Sequence, residues 1–310
     1  MKVYHGIENL NIERSVVTVG SFDGVHCGHR ELLQRLNDLS RQYNAQSIVV
    51  TFWPHPRQVL NINGNTPLLL NTIDEKLSLL EKAGIDGVVL FPFDHRLSQM
   101  QANDFIREMI IGKLNAHCLV AGQDHHFGKN RSGNATGLSD IVAGTNIRVE
   151  VVDLKMSDQK ISSSVIRKAL LSGDLQYANT LLGYEYMISG KIIRGNQLGR
   201  TIGFPTANIS PPDYKLIPNE GVYRVKVCIN ESCSGSNSYL GMMCIGKRLI
   251  AKQPDETKHI EVNIFDFDGK IYDRTVTLSL THRIRNNIHF DNMTQLEKQL
   301  HRDKQIIVQM

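Results

Sequence analysis

Two histidines, His26 and His29, stand three residues apart at the start of a segment with helical periodicity. A spacing of three places both imidazoles on one face of the first helical turn, where they can meet the same ligand. The N-terminus of a helix attracts anions, because its free N–H groups and the positive end of its dipole lie there. Paired imidazoles in this position are suited to stabilise charge that develops on a phosphate during transfer.

Two other interpretations of these histidines stay open. They could form half of a metal site, although zinc helices of the HExxH type space their histidines by four residues and carry a Glu between them. Cys27 and Gly28 occupy the gap here. The two side chains could also be structural, but a Gly in a helix interior costs about 1 kcal/mol. Gly28 is better explained by the close approach of a nucleotide to the backbone.

The segments around the two histidines are typical of a phosphate-binding corner. A β-branched run over residues 16–19 predicts a strand, Gly20 and Gly24 predict a loop, and leucines at helical spacing over 32–39 predict a helix. A strand, a Gly-rich turn and a helix in this order hold phosphates in many α/β proteins.

Strands and helices alternate through the first half of the chain. Further strands are predicted over 46–52, 87–91, 117–121 and 148–152, and helices over 73–83 and 102–114. This alternation predicts a parallel α/β sheet with right-handed crossovers. Ligands bind beyond the carboxyl ends of the strands in such a sheet, and the most informative segments follow predicted strands.

The pattern changes near residue 185. Strands follow one another with little helix between them, over 186–193, 222–229, 239–245, 259–265 and 271–280. This series predicts an antiparallel barrel or sandwich. A final helix is predicted over 294–307. We therefore predict two domains, residues 1–185 and residues 186–310.

The composition excludes few functions. The 310 residues suffice for two domains, and 41% hydrophobic and 21% charged residues are typical of a globular protein. A net charge of +4 gives no ground for nucleic-acid or membrane binding, but it is compatible with anionic substrates. The five cysteines lie mostly in apolar runs and predict reduced thiols. Without a signal-peptide core or an 18-residue apolar run, we expect a soluble cytoplasmic protein of unknown oligomeric state.

Two loops of the first half could bind a ring system. Phe52, Pro54 and Pro56 belong to an aromatic–proline loop that could form a flat wall or be an ordinary rigid turn. After the strand at 117–121, Asp124 could hydrogen-bond a ring N–H and Phe127 could stack on the ring.

Ser163, Ser164 and Arg167 mark the start of a further predicted helix. The serines can cap the helix, which would be a purely structural role. Arg167 would bring a fixed positive fork beside a phosphate at the same end.

The densest signal in the second half is the loop over 194–208. Three glycines and two arginines suit a polyphosphate, because backbone N–H groups and guanidinium forks both donate to oxygen. Thr206 and Asn208 supply neutral oxygens of the kind that Mg²⁺ accepts. The alternative is a plain Gly-rich hairpin. Glu261, in a predicted strand, could act as a base or be a solvated residue.

Several of these motifs resemble one enzyme family. GSFDGVHCGH resembles the HxGH motif of the nucleotidylyltransferase superfamily, in the version found in bacterial bifunctional riboflavin kinase/FAD synthetases. TFWPHPRQVL is similar to the FxPHP loop of that family. The segment over 122–129 resembles its G-x-D-F-x-F-G-K loop, with His125 in place of the first aromatic. The segment over 161–167 resembles its ISSTxIR motif, with Ser164 in place of Thr.

The second half resembles the flavokinase part of the same family. GRTIGFPTANI is similar to the G-R-x-x-G-(F/Y)-P-T-A-N motif, and Glu261 matches the Glu that serves as general base in flavokinases. The resemblance implies a Rossmann-like nucleotidylyltransferase domain followed by an antiparallel β-barrel flavokinase domain and a C-terminal helix. It implies phosphorylation of riboflavin to FMN with ATP, adenylylation of FMN to FAD with release of pyrophosphate, and Mg²⁺ in both reactions.

The resemblance also implies the roles of individual residues. The catalytic residues would be His26, His29 and Glu261. The nucleotide-binding residues would be Gly20, Phe22, Asp23, Gly24, Gly28, Ser163, Ser164, Arg167, Gly195, Gly199, Arg200, Gly203, Thr206 and Asn208. The flavin-binding residues would be Phe52, Pro54, Pro56, Asp124, Phe127 and Arg285. Mg²⁺ would be held by Thr206 and Asn208.

The second half departs from the family pattern at four positions. Leu249 and Ile250 replace a Pro-Thr, Asn263 replaces a His, and Asn287 replaces an acidic residue. We therefore expect a kinase with altered flavin affinity or a low rate. One alternative is an FAD synthetase whose second domain only binds flavin. Another is a non-catalytic protein that senses flavin or nucleotide.

Overall fold

The computed structural model describes residues 1–8, 10–60, 66–123, 126–128, 133–135, 137–153, 161–195, 198–229, 238–246 and 258–310. Their contacts group into two compact units. One unit contains Met1–Leu68 and Ile73–Ser162, and the other contains Leu69–Thr72 and Ser163–Met310.

The first unit is built on a parallel sheet. Its strands are β1 (Lys2–His5), β2 (Ser15–Val19), β3 (Gln46–Trp53), β4 (Gly87–Pro92), β5 (Ala116–Gly122), β6 (His126–Phe127), β7 (Gly133–Asn134) and β8 (Arg148–Val152). Six of the described strands form the sheet in the order β1-β4-β3-β2-β5-β8, and all neighbours are parallel. The remaining two form a small antiparallel hairpin after β5.

Helices connect the strands of this sheet. They are α1 (Cys27–Gln42), α2 (Pro56–Leu60), α3 (Ile73–Lys82), α4 (His95–Ser98), α5 (Ala102–Asp104), α6 (Gly112–Leu114) and α7 (Gly137–Ile141). A π-helix, Phe105–Ile111, joins α5 to α6 where the sequence predicts one regular helix over 102–114.

The chain changes direction across the sheet at β2. The strands β3 and β4 lie on one side of β2, and β5 and β8 lie on the other. Every residue of β2 is buried, as expected for a central parallel strand covered on both faces. Open sheets of this type bind ligands beyond the carboxyl ends of the strands at the point where the strand order reverses. The turn after β2 and the segment after β5 both leave from this edge.

The second unit is a closed antiparallel barrel. Its elements are α8 (Ser163–Ser172), α9 (Leu175–Leu182), β9 (Met187–Ile193), a 3₁₀ helix (Leu198–Ile202), β10 (Ala207–Ser210), β11 (Gly221–Ile229), β12 (Tyr239–Gly246), β13 (His259–Ile264), β14 (Thr275–Arg285) and α10 (Met293–Gln309). The strands close in the order β10-β13-β12-β11-β14-β9, with β9 paired to β10. Alternation of buried and exposed residues along these strands explains why the sequence reveals most of them.

The C-terminal helix packs on the barrel through a small apolar cluster. Ile307, fully buried, and Leu300 contact Phe204, Val222 and Phe265. This helix begins one residue before the predicted range and ends two residues after it. Its docking therefore places the helix against the segment that carries the GFPTAN motif.

Three further findings concern predictions of the sequence. The strand β10 begins at Ala207, within the last two residues of the segment that the sequence predicts as a loop, and β14 begins at Thr275 rather than at residue 271. Cys27, Cys118 and Cys244 are free thiols, whereas Cys228 is disulfide-bonded, so the prediction of reduced thiols is wrong for Cys228. In the part of the chain that the structure describes, no helix has the length and apolarity to cross a membrane.

Candidate active sites

The turn between β2 and α1 has an unusual backbone. Phe22, Gly24 and Val25 have φ angles of 47°, 89° and 34°. Positive φ suits glycine but strains a β-branched residue such as Val25. Phe22 and Val25 are both buried, and the Val25 N–H donates to the Phe22 carbonyl at 3.2 Å. The surrounding structure therefore holds the turn in a conformation that the chain would not adopt alone, as is common at functional sites.

This turn delivers the two histidines to the start of α1. His26 is the N-cap residue, and its Nδ1 accepts the N–H of His29 at 3.4 Å. The two rings stack, with centroids 3.6 Å apart and 15° between their planes, and Phe22 contacts the His29 ring edge-on. Because Nδ1 accepts this hydrogen bond, the proton of the neutral His26 ring is assigned to Nε2. Both imidazoles lie together at the helix N-terminus.

Burial sets the protonation state of His26. The side chain is 6% exposed, and burial lowers its pKa from 6.5 to about 4, opposed in part by a hydrogen bond with the backbone. His26 is therefore neutral near pH 7. A neutral ring with its proton on Nε2 is a donor that can bond a phosphate oxygen.

The space around Gly20 and Gly28 differs in whether it would admit a side chain. A Cβ at Gly20 would lie 3.0 Å from the ring of Phe22, a tight contact. A Cβ at Gly28 would meet the His26 ring at 3.5 Å, which is an ordinary contact. Packing thus gives a reason for Gly20, while the close approach of a nucleotide at Gly28 stays a prediction.

Lys76, in α3, is a candidate functional residue that the sequence patterns did not identify. It is 1% exposed, and its Nζ donates to the Ser21 carbonyl at 2.7 Å. Burial lowers the pKa of Lys76 from 10.5 to about 8, opposed by the nearby charge of Asp23. A charged residue in a helix normally indicates a solvated face. Lys76 is nevertheless three and four residues from the buried Leu79 and Leu80, a spacing that places it on the buried face of the helix.

The predicted flavin-side residues lie beside an aromatic cluster. The Phe52 ring contacts the rings of Phe91, Phe93 and Phe105 at centroid distances of 6.4, 5.7 and 6.1 Å. Phe52 is half-buried, so part of its ring remains accessible at the end of β3. The partner rings lie 39 or more residues from Phe52 in the chain, so the sequence does not reveal the cluster.

The residues after Phe52 form a tight connection to α2. The Trp53–Pro54 peptide bond is cis, Pro54 is exposed and Pro56 begins α2. His55, which was not among the predicted site residues, is buried, and its Nδ1 accepts the N–H of Arg57 at 3.1 Å. His55 thus stabilises the loop.

The segment after β5 is described only in part. Asp124 lies outside the described residues, and Phe127 is described through its backbone in β6. Gly128 has a φ of 73°, and a Cβ there would collide with Ala102 at 2.7 Å. This glycine is required because the segment packs directly against the start of α5.

An open groove of about 850 Å³ runs along α1 beside β8. Cys27 and Arg30 line it at the first turn of α1, and Val152 and Asp153 line it at the end of β8. The groove therefore begins next to the two histidines and has room for a nucleoside.

Ser163, Ser164 and Arg167 lie on α8, which is grouped with the second unit. The helix begins at Ser163, so Arg167 is its fifth residue rather than a residue of its first turn. Arg167 is half-buried. Its predicted contact with a nucleotide phosphate of the first site stays a prediction.

The second candidate site lies where β10 pairs with β13. Asn208 and Glu261 are directly opposite each other in this ladder, and Cys244 of β12 is opposite Glu261 on the other side. The Thr206 hydroxyl donates to the Glu261 carboxylate at 3.3 Å. The structure therefore brings together the three residues that the sequence assigns to the metal and the base.

Glycines allow the preceding loop to lie close to these residues. A Cβ at Gly195 would overlap the Asn208 side chain, and a Cβ at Gly199 would overlap the Phe204 carbonyl. Gly203 has a φ of 76°, and Arg200 is exposed on the 3₁₀ helix. These glycines are needed for chain packing, which is compatible with a phosphate-binding role but does not require one.

The substituted family positions have clear contacts. Asn263 donates from Nδ2 to the Pro205 carbonyl at 2.7 Å, and Asn287 donates to the Ile245 carbonyl at 2.9 Å. Leu249 and Ile250 lie outside the described residues. The hydrogen bond of Asn263 therefore stabilises the GFPTAN segment, and that of Asn287 stabilises the end of β12.

Arg285, predicted to contact flavin, is bound to Asp303 of α10. Its Nη2 donates to Asp303 Oδ2 at 2.6 Å and its Nε donates to the same carboxylate at 3.0 Å. The Asp303 side chain is 1% exposed, and Gln299 donates to it as well. This contact spans 18 residues in sequence, so the sequence pattern does not reveal it. A flavin role of Arg285 stays a prediction.

Among the described residues, no three His, Cys, Asp or Glu side chains are grouped as a metal site.

Family models match both halves of the chain. A model described as FAD synthetase matches residues 8–165, and a model described as riboflavin kinase matches residues 182–310. The helices α8 and α9, grouped with the second unit by contacts, thus lie mostly between the two matches. The domain boundary at 185/186 stays a prediction.

Similar proteins extend over almost the whole chain. Bifunctional riboflavin kinase/FMN adenylyltransferases of Buchnera aphidicola (subspecies Schizaphis graminum) and Escherichia coli K12 are 36% and 34% identical to it. They align over 99% and 98% of this chain, and over 98% and 96% of their own lengths. A crystal structure described as a macrolide-efflux protein from Streptococcus pneumoniae matches with a TM-score of 0.85 and 30% identity, over 100% of both chains.

The fold and the family matches define a nucleotidylyltransferase domain, which carries a histidine pair at the N-terminus of α1, followed by a β-barrel kinase domain. The chain belongs to the family of bifunctional riboflavin kinase/FMN adenylyltransferases. It phosphorylates riboflavin to FMN with ATP and adenylylates FMN to FAD.

The lowered pKa of His26 predicts a loss of stability in mild acid. Between pH 6.5 and pH 4 the unfolded chain binds a proton that the folded chain does not, so the folded state loses stability as the pH falls. From pH 7 to pH 5 we expect protonation of His26 in the unfolded chain to lower the free energy of unfolding of the first unit by about 2 kcal/mol. Urea unfolding followed by fluorescence of Trp53, the single Trp of the chain, measures this loss.

His26→Asn is the matched control for this measurement. Asn keeps an N-cap acceptor but does not titrate. The variant should therefore lose about 2 kcal/mol less than the native chain over the same pH change. An equal loss in both proteins would contradict the assignment.

The contact between Arg285 and Asp303 should contribute strongly to the stability of the second unit. Asp303→Asn removes one partner of a nearly buried ion pair, which typically costs about 3–5 kcal/mol. Glu185→Gln is the control, because Glu185 pairs with Lys226 at the surface and such exposed pairs contribute less than about 1 kcal/mol. Urea unfolding followed by circular dichroism compares the two. If both substitutions lower the free energy of unfolding by the same small amount, the contact with Asp303 does not stabilise the second unit as expected.

Proposed function

We propose that the first unit performs adenylyl transfer at the N-terminus of α1. A phosphate oxygen of FMN attacks the α-phosphorus of ATP in line, the bond from that phosphorus to the bridging oxygen breaks, and pyrophosphate leaves. Negative charge on the α-phosphate oxygens must be stabilised as this occurs. His26, neutral with its proton on Nε2, is a hydrogen-bond donor to such an oxygen, and the stacked His29 ring lies 3.6 Å away.

The observation that carries this assignment is the stacked histidine pair capping α1. The capping bond orients His26 at the positive end of the α1 dipole, which favours an anion at this end of the helix. We assign the nucleoside of ATP to the groove along α1 and β8, since this groove begins at the same turn.

We assign the flavin ring of FMN to the accessible part of the aromatic cluster around Phe52. Three of its rings, Phe52, Phe91 and Phe93, lie at the ends of β3 and β4, on the same sheet edge as the two histidines. An apolar ring face favours stacking of a flat heterocycle. Pro54 and Pro56 would restrict the loop beside it.

We propose that the barrel performs the kinase reaction at Glu261. The carboxylate accepts the proton of the ribityl hydroxyl as that oxygen attacks the γ-phosphorus of ATP and ADP leaves. The Thr206 hydroxyl bonds this carboxylate at 3.3 Å and so orients it. The Arg200 guanidinium, exposed on the 3₁₀ helix of the preceding loop, is suited to hold the other phosphates.

The donor set of this second site fits Mg²⁺. The Thr206 hydroxyl and the Asn208 side chain offer neutral oxygens next to the Glu261 carboxylate, and Mg²⁺ prefers oxygen ligands. When bound, the ion would neutralise charge on the ATP phosphates. A cytoplasmic location fits an enzyme that consumes ATP twice.

The alternative of an FAD synthetase with an inactive barrel is less well supported. Glu261, Thr206 and Asn208 lie together, and Asn263 at a substituted position still braces the motif. Incubation with riboflavin, ATP and Mg²⁺, followed by chromatography, separates the two possibilities. FMN and FAD from riboflavin support two activities, whereas FAD only from added FMN supports one.

Removal of both imidazoles should abolish adenylyl transfer alone. His26→Ala/His29→Ala should lower the rate of FAD formation from added FMN by about 10²–10³-fold or more, because it removes the donors to the α-phosphate. FMN formation from riboflavin, measured on the same sample, should stay within about twofold. His95→Ala, at an exposed position of the same unit, is the control. Retention of FAD formation in the double variant would refute the site.

A substitution at Glu261 tests the proposed kinase site in the barrel. Glu261→Gln keeps the size of the side chain but cannot take a proton, and it should lower FMN formation from riboflavin by about 10²–10⁴-fold. FAD formation from supplied FMN should be unchanged, as should both activities in the exposed-site control Glu185→Gln. A fully active Glu261→Gln kinase would mean that another group is the base.

A further inference from the structure

The buried amine of Lys76 lies directly beneath the turn that carries the two histidines. Its Nζ donates to the Ser21 carbonyl at 2.7 Å, and the Thr51 hydroxyl donates to the same oxygen at 3.3 Å. Ser21 immediately precedes Phe22, the first residue of the turn with positive φ. Two donors from separate elements, α3 and β3, thus converge on the peptide group where the strained turn begins.

Lys76 also interacts electrostatically with Asp23, the one carboxylate of the turn. Asp23 is 3% exposed, and its charge acts on Lys76 strongly enough to oppose part of the effect of burial on the lysine pKa. A carboxylate buried to this degree is costly without a compensating charge. Lys76 supplies a positive charge from a side chain that is itself 1% exposed.

We propose that Lys76 is a positioning residue for adenylyl transfer: it holds the Phe22–Val25 turn through Ser21 and Asp23 and so fixes where His26 and His29 stand. Because Lys76 is buried, its amine acts through the turn and not on the substrate. The inference rests on the proposed adenylyl-transfer site. A turn with positive φ at Phe22 and Val25 needs such support, since neither residue favours this backbone conformation.

The test compares Lys76→Met with Lys76→Arg in the full-length enzyme. Met keeps most of the apolar stem but removes the donor and the charge, whereas Arg keeps both. Lys76→Met should lower kcat for FAD formation from FMN at least tenfold, with the KM values for FMN and ATP changed less than threefold. A small misplacement of catalytic groups has an effect of this size. Lys76→Arg should recover kcat to within about threefold of the native enzyme.

Two internal controls separate positioning from general destabilisation. FMN formation from riboflavin depends on the other unit and should stay within twofold in every variant. Lys82→Met, at an exposed position of the same helix, should leave both activities unchanged. Urea unfolding followed by Trp53 fluorescence reports whether the first unit of each variant is folded.

A folded Lys76→Met variant with native kcat would overturn the proposal. If Lys76→Met does not fold, the Lys76→Arg variant tests the proposal instead. A native kcat in this variant supports the proposal. A folded Arg variant with a kcat more than tenfold lower overturns it. The His26→Ala/His29→Ala variant distinguishes this failure from a failure of the site. If that variant loses FAD formation while Lys76→Met keeps it, the site stands and the role of Lys76 does not.

Discussion

The hydrogen bond from the His29 N–H to His26 Nδ1 is the constraint on which the proposed adenylyl-transfer site depends. It caps α1, assigns the proton of the neutral ring to Nε2 and holds the two imidazoles in a stack. The strained turn precedes this cap, and the buried Lys76 donates to the Ser21 carbonyl at the start of the turn. In the proposed site, the residue that caps the helix would also be the hydrogen-bond donor to the substrate.

In the barrel, the corresponding constraint is the register between β10 and β13. Pairing of Asn208 with Glu261 brings a neutral oxygen donor and a carboxylate together, and Thr206 bonds that carboxylate from the end of the loop. Asn263 keeps the loop against the strand through the Pro205 carbonyl. Asn263, at a substituted family position, therefore contacts the loop of the proposed site, while Arg285 pairs with Asp303 of α10.

Local patterns were sufficient to predict most of the fold and the clustering of the main motifs. The buried run of β2, the leucine periodicity of α1 and the alternation along the barrel strands each depend on neighbours in sequence. The short β10 was missed because glycines and a proline surround it. Lys76 and the Arg285–Asp303 pair could not be predicted, since their partners are brought together only by folding. The roles of Asp124, Leu249 and Ile250 concern residues outside the described part of the chain.

The most direct test of the account is ¹⁵N NMR of the His26 ring in the full-length protein at pH 7, with and without an ATP analogue that cannot be cleaved between its α- and β-phosphates. We predict a neutral ring with its proton on Nε2, and a change in the Nε2 resonance when the analogue binds. A proton on Nδ1, a charged imidazolium in the free protein, or an Nε2 resonance that the analogue leaves unchanged would contradict the account.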